Sequence, residues 1–150
     1  MANFLDALNV TAADIKKPKA LPVGTYLCQM TGQPNYKTIG QAQTPIAEFT
    51  ATVRQPMQDV DAEQLAEFEN GVAGKTIRCT FFLSPDALYR FKDFMTLYCG
   101  IDDGKGTRTL ADMASEIPGK SVLVKTKHRP GNGKDGQMEL YTDVESYAAP

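Results

Sequence analysis

Lys120, Lys125, Lys127, His128 and Arg129 ride a strand-like run into a glycine-rich turn that returns to Tyr141, with no carboxylate before Asp135. Successive side chains of an extended chain point to opposite faces. Val122 and Val124 therefore take one face, and Lys125, Lys127 and Arg129 the other. A half-buried strand of this kind presents cations to a polyanion, and the turn carries a further cation, Lys134. The competing reading is the solvated outer face of an ordinary sheet.

Other candidate chemistry is poorly supported. Gly131, Gly133 and Gly136 spell G-x-G-x-x-G, but a strand follows where a dinucleotide site needs a helix N-terminus. Gly74-Lys75-Thr76 and Gly119-Lys120-Ser121 resemble the end of a phosphate-binding loop. Each lacks the earlier glycine, having Glu69 and Ala114 there, and each leads into a strand. Asp102 and Asp103 beside Gly104 lack the alternating carboxylates of a calcium loop. His128 is the only histidine, and Lys127 and Arg129 beside it disfavour a metal cation. No serine sits in a nucleophile elbow, and no cysteine has an activating neighbour. We therefore expect no catalytic residue, no metal and no cofactor.

The elements that position the basic run follow from patterning. Val23 to Thr31 reads as a first strand with Tyr26, Cys28 and Met30 on one side, and Gly32 to Thr44 as a polar connection holding Tyr36 and Lys37. Ile46 to Arg54 is a second strand in which Ala47, Phe49, Ala51 and Val53 alternate with Glu48, Thr50, Thr52 and Arg54. An acidic helix from Asp61 to Asn70, with Gly71 at its C-cap, precedes a third strand, Lys75 to Leu83. That strand sets Ile77, Cys79, Phe81 and Leu83 against Thr76, Arg78, Thr80 and Phe82.

The strongest helix then runs to Gly100, capped by Ser84 with Pro85 first, and carries an apolar stripe of Ala87, Leu88, Phe91, Phe94, Met95 and Tyr98. That stripe reads as core. A loop over Ile101 to Thr109 and a short helix from Leu110 to Ile117 lead to the fourth strand, Ser121 to Arg129. The fifth, Gln137 to Tyr147, sets Met138, Leu140 and Val144 against Glu139, Tyr141, Asp143 and Glu145. The predicted class is mainly β with helices. It is a five-stranded OB-like barrel with a helix between strands three and four and an acidic helical insertion between strands two and three.

At 150 residues, 42% hydrophobic and 23% charged, the chain is the size of one soluble domain with a core of its own. Residues 1–20 read as an N-terminal arm, with Phe4, Leu5 and Leu8 on a short amphipathic turn, and residues 21–150 as the barrel domain. Met1 to Val10 has neither a basic start nor a long apolar run, so a secretory signal, an anchor and a membrane partner are not expected. Cys28, Cys79 and Cys99 form no C-x-x-C pair and read as buried reduced thiols.

The net charge of -2 hides an asymmetry. Gln55 to Gly74 holds Asp59, Asp61, Glu63, Glu67 and Glu69 and no base, while Lys120 to Lys134 holds five cations and no acid. Local fields steer a polyanion, so a mildly acidic protein can bind nucleic acid through one face. That outward face would gather Arg54, Arg78, Phe82, Lys125, Lys127, Arg129 and Tyr141, with Tyr36, Lys37 and Lys134 on the adjoining loops. Cations neutralise phosphates and rings stack on bases of any sequence. Alternatively, Phe82 and Tyr141 lie under the arm or a second subunit.

Leu21-Pro22-Val23-Gly24-Thr25-Tyr26, Gly74-Lys75-Thr76-Ile77, Ser84 to Lys92 and Ile117-Pro118-Gly119-Lys120-Ser121-Val122 together resemble a family of bacteriophage single-stranded DNA-binding proteins, over about Leu21 to Tyr147. The resemblance implies an OB fold and a non-enzymatic role coating single-stranded DNA in phage replication or recombination, in the cytoplasm of the bacterial host. It also implies phage or host replication and recombination proteins as partners. A homodimer sharing barrel edges fits the same picture. Two features depart from the family: the chain ends Glu145-Ser146-Tyr147-Ala148-Ala149-Pro150 instead of in an acidic tail, and Gln55 to Gly74 is a long acidic insertion. The insertion would either cover part of the groove or mimic DNA charge. The competing function is a phage structural or assembly protein that uses the barrel for packing and residues 1–22 to reach a neighbour.

Overall fold

The computed structural model describes residues 8–12, 19–132 and 138–150. Five antiparallel strands form one open sheet: β1 (Gly24–Ile39), β2 (Thr44–Pro56), β3 (Thr76–Phe82), β4 (Ser121–Asn132) and β5 (Met138–Ala148), in the order β3-β2-β1-β4-β5. Short helices intervene: α1 (Ala62–Ala66), α2 (Leu88–Asp93) running into a π-helical turn (Phe94–Tyr98), and α3 (Leu110–Ala114). Among the described residues no helix is long and apolar enough to cross a membrane.

Alternation builds the core. Tyr26, Cys28 and Met30 of β1, Ala47, Phe49, Ala51 and Val53 of β2, Ile77, Cys79 and Phe81 of β3, and Val122 and Val124 of β4 are all buried. The sheet curls until its two edge strands meet at one end. Phe81 of β3 stacks on Tyr147 of β5 at 5.6 Å between ring centroids, and Phe94 meets Tyr147 edge-on at 4.9 Å. Ring pairs in these geometries add about 1 kcal/mol each beyond the area they bury. Three thiols, Cys28, Cys79 and Cys99, are free and buried in the same interior.

The segment Leu21 to Tyr26, which carries part of the family resemblance, is a structural device. Leu21 and Pro22 are buried, and the Tyr26 hydroxyl donates to the Pro22 carbonyl at 2.6 Å. Buried Thr126 also donates from its hydroxyl to that carbonyl at 3.1 Å and accepts from the Gly24 amide at 3.3 Å. Gly24, at φ +151°, lies so close to Val60 that a Cβ would stand 2.4 Å from the Val60 Cα. Leu21, where the expected barrel domain begins, is tied to β4 and β5: its amide donates to Thr142 and its carbonyl contacts His128 Nε2. Leu8 and Val10 are exposed, whereas Phe4 and Leu5 of the expected amphipathic turn lie outside the described residues.

Four expectations need correction. The stretch from Gly32 to Thr44 is mostly strand, because β1 and β2 run on as a projecting hairpin whose register ends at Ile39↔Thr44. Nearly all of residues 32–39 are exposed, and a ribbon wet on both faces carries no apolar alternation to reveal it. The acidic helix is one short turn: Asp61 caps it by accepting from the Gln64 amide, and it ends before Phe68 and Val72 turn toward the core.

The helix after β3 starts at Leu88 without a side-chain cap, since Ser84 and Pro85 form a preceding turn in which the Ser84 carbonyl accepts from Ala87 and Leu88. Its last turn widens, with the Cys99 amide donating to the Phe94 carbonyl at 3.0 Å. Finally, β5 carries a bulge at Glu145, between the pairs Thr126↔Val144 and Lys125↔Ser146. The bulge turns Tyr147 inward beside Val144. Toward its other end the β4–β5 hairpin outruns the core, leaving Met138 and Leu140 74% and 52% exposed.

Candidate nucleic-acid interface

Cross-strand register places one row of side chains on the outward face of three strands, Lys37 of β1 opposite Ile46 of β2, itself opposite Phe82 of β3; Lys37 and Phe82 are exposed, whereas Ile46 between them is buried. The adjacent row sets Glu48 opposite Thr80, and the next sets Thr50 opposite Arg78. Glu48 stands between two cations, 3.2 Å from Lys37 and 3.7 Å from Arg78. Tyr36, opposite Ala47, falls on the other face of the hairpin from Lys37 and Phe82.

Beyond this face lies the principal groove, about 1190 Å³, between β3, α2 and β5. Arg78, Phe82, Tyr89, Arg90, Arg129 and Tyr141 line it. Phe82 is 47% exposed and Tyr141 half-buried, so neither ring has gone into the core. Tyr141 is held in place by its neighbours across the β4–β5 ladder. The Arg129 guanidinium lies 5.1 Å from its ring centroid, and Gly131 leaves room for it, since a Cβ there would stand 2.5 Å from the ring. The Tyr141 hydroxyl donates to Glu139. Tyr98 and Tyr147 form the groove floor with ring centroids 6.5 Å apart.

The remaining candidates fall elsewhere. Arg54 sits on the outward face and donates to Gln29 of β1. Lys125 and Lys127 are exposed on the outward face of β4 but do not line the groove; Lys125 pairs with Glu145 at 3.7 Å, and Lys127 stands opposite Asp143. Lys134 lies outside the described residues, as does most of the expected G-x-G-x-x-G turn. Sequence reasoning missed Tyr89 and Arg90. They sit between Leu88 and the buried Phe91 on the same helix, and their signal was an adjacent ring and guanidinium off the apolar stripe.

Electrostatics in the groove are nearly balanced. Asp93, Asp143 and Glu145 line it together with the three arginines, and Arg129 donates to Asp143 at 2.9 Å. Exposed ion pairs contribute about 0–1 kcal/mol each, whereas stacking a base on an aromatic side chain contributes about 1–3 kcal/mol. On a nucleic acid the rings would therefore contribute more than the paired cations.

Elsewhere the chemistry is structural. Burial pushes the thiols of Cys28 and Cys99 up to about 12 and that of Cys79 up to about 11, which makes them poor nucleophiles. Burial likewise raises the Tyr147 phenol, whose hydroxyl faces Cys79. Lys75 and Lys120 lead into β3 and β4 through turns at Gly74 and Gly119, both at positive φ. The Asp102 and Asp103 carboxylates accept from the Gly104 and Lys105 amides and shape a turn. Among the described residues no group of three or more histidine, cysteine, aspartate or glutamate side chains could hold a metal ion. Compared with known proteins, the chain matches no family model and no curated protein.

Proposed function

We propose that this protein binds single-stranded DNA without catalysis, coating and protecting it during bacteriophage replication or recombination in the host cytoplasm. One observation carries the reading: two accessible rings, Phe82 and Tyr141, share a single groove with Arg78 and Arg129 although they come from opposite edges of the sheet. The strand order and the Phe81–Tyr147 contact between the edges support an OB-type barrel, a fold that uses such surfaces for oligonucleotides. Lys37 on the projecting hairpin extends the basic surface along the same row as Phe82. Replication and recombination enzymes of phage or host are the corresponding protein partners.

Fluorescence anisotropy with labelled oligo-dT tests this. Binding at micromolar concentration or tighter in low salt, weakened by Phe82→Ala and Tyr141→Ala, is the expected result. No binding at low salt removes the reading. A phage assembly role is the second reading, favoured by the exposed Met138 and Leu140 on the β4–β5 hairpin. Stoichiometric abundance in purified virions, measured by mass spectrometry, would support it instead.

A further inference from the structure

Opposite the sheet, the groove is walled by α2, and that wall repeats the chemistry of the other side. Tyr89 is 56% exposed, and the Arg90 guanidinium carbon lies 5.7 Å from its ring centroid, with Nε donating to the Tyr89 hydroxyl at 3.1 Å. Across the groove, Arg129 lies over Tyr141 at 5.1 Å. Two tyrosine–arginine pairs from unrelated parts of the chain thus line one groove, with Phe82 of β3 lining it as well. A ring with an adjoining guanidinium matches one nucleotide, the base stacking on the ring and the phosphate meeting the cation.

We propose that Tyr89 and Arg90 are DNA-contacting residues, so that the strand is gripped between α2 and the β4–β5 hairpin and does not merely lie across the sheet. This rests on the single-stranded DNA reading above and adds a second binding wall to it. Nothing in packing calls for Tyr89 at this position: the buried side chains of this helix and its π-turn are Phe91, Phe94 and Met95. Among the described residues Arg90 has no carboxylate partner like those of Arg78 and Arg129, which leaves its charge for a phosphate.

The chain contains no tryptophan, so Tyr89→Trp creates a single reporter that keeps a stacking ring. Three ligands are compared: oligo-dT, a mixed-sequence strand of equal length, and an abasic strand that carries the phosphates alone. Bases should quench the Trp fluorescence of the variant and the abasic strand should not. Tyr89→Ala should weaken oligo-dT binding at least about fivefold, and Arg90→Ala should reduce the salt slope by about 0.7. Lys92→Ala, on the same helix but outside the groove lining, should leave the slope unchanged. Suppose wild-type protein binds oligo-dT while the Trp signal stays flat and Tyr89→Ala binds as wild type. The second wall is then wrong and the single-stranded reading stands. Absence of wild-type binding overturns both.

Discussion

Replacing Arg129 by alanine should weaken single-stranded DNA binding and flatten its salt dependence, and replacing its partner Asp143 by asparagine should do the opposite. Three guanidinium groups line the groove. At about 0.7 counterions released per phosphate contact on single strands, three contacts give a slope near -2.1, an affinity loss of about 18-fold between 50 and 200 mM salt. That is the upper limit for these three contacts. Arg129 already donates to Asp143 at 2.9 Å and Arg78 lies 3.7 Å from Glu48, so a phosphate must displace a carboxylate at each.

The share of the wild-type slope carried by these three arginines should therefore fall between about -0.7 and -2.1, and a contact by Lys37 would add to it. Arg129→Ala removes one contact and leaves Asp143 facing the strand. A carboxylate about 6 Å from a phosphate, at an effective dielectric near 60, costs about 1 kcal/mol, or about fivefold in affinity. Asp143→Asn removes that competitor and should steepen the slope. Anisotropy titrations of both variants and the double variant at four salt concentrations provide the measurement. A slope for Arg129→Ala equal to wild type, or weaker binding by Asp143→Asn, refutes the placement of Arg129 on the bound strand.

Gly131→Ala should displace Tyr141, because the new Cβ would stand 2.5 Å from its ring; weaker oligo-dT binding at unchanged melting temperature is expected. Gly24→Ala meets the Val60 backbone at 2.4 Å from a positive φ, and should cost about 3 kcal/mol, on the order of 10 °C in melting temperature by circular dichroism. The buried thiols predict alkaline sensitivity. Their pKa values are raised from 9.0, so the neutral thiols favour the folded state fully below pH 9, and that contribution is lost as pH rises through about 11 to 12. Unfolding monitored by far-ultraviolet circular dichroism should set in across that window, and Ellman's reagent at pH 8 should react only after denaturant is added. Rapid reaction of native protein contradicts the burial.

Strands half-buried in the core were legible residue by residue. The inward sets Tyr26/Cys28/Met30, Phe49/Ala51/Val53 and Ile77/Cys79/Phe81 were read correctly because one wet face and one dry face impose a period of two. Where both faces are wet the signal vanishes, as in the outer half of the β1–β2 hairpin and around Met138 and Leu140. The bulge at Glu145 was invisible for a different reason. An extra residue on one strand shows only against its partner, and Tyr147 changes face by virtue of that pairing.

By composition and periodicity alone, the chain determined that it would be mainly β and that Arg78, Phe82 and the β4 cations would face outward from their strands. Which of those side chains meet was decided by the curl of the sheet. β3 and β5 are the outermost strands, far apart in strand order, and packing of Phe81 and Phe94 on Tyr147 draws their edges around one groove. That closure joins Phe82 to Tyr141 and brings in Tyr89 and Arg90, while Lys125 and Lys127 remain outside. Local alternation specifies a face, but only burial of distant aromatic residues against one another can specify which faces converge.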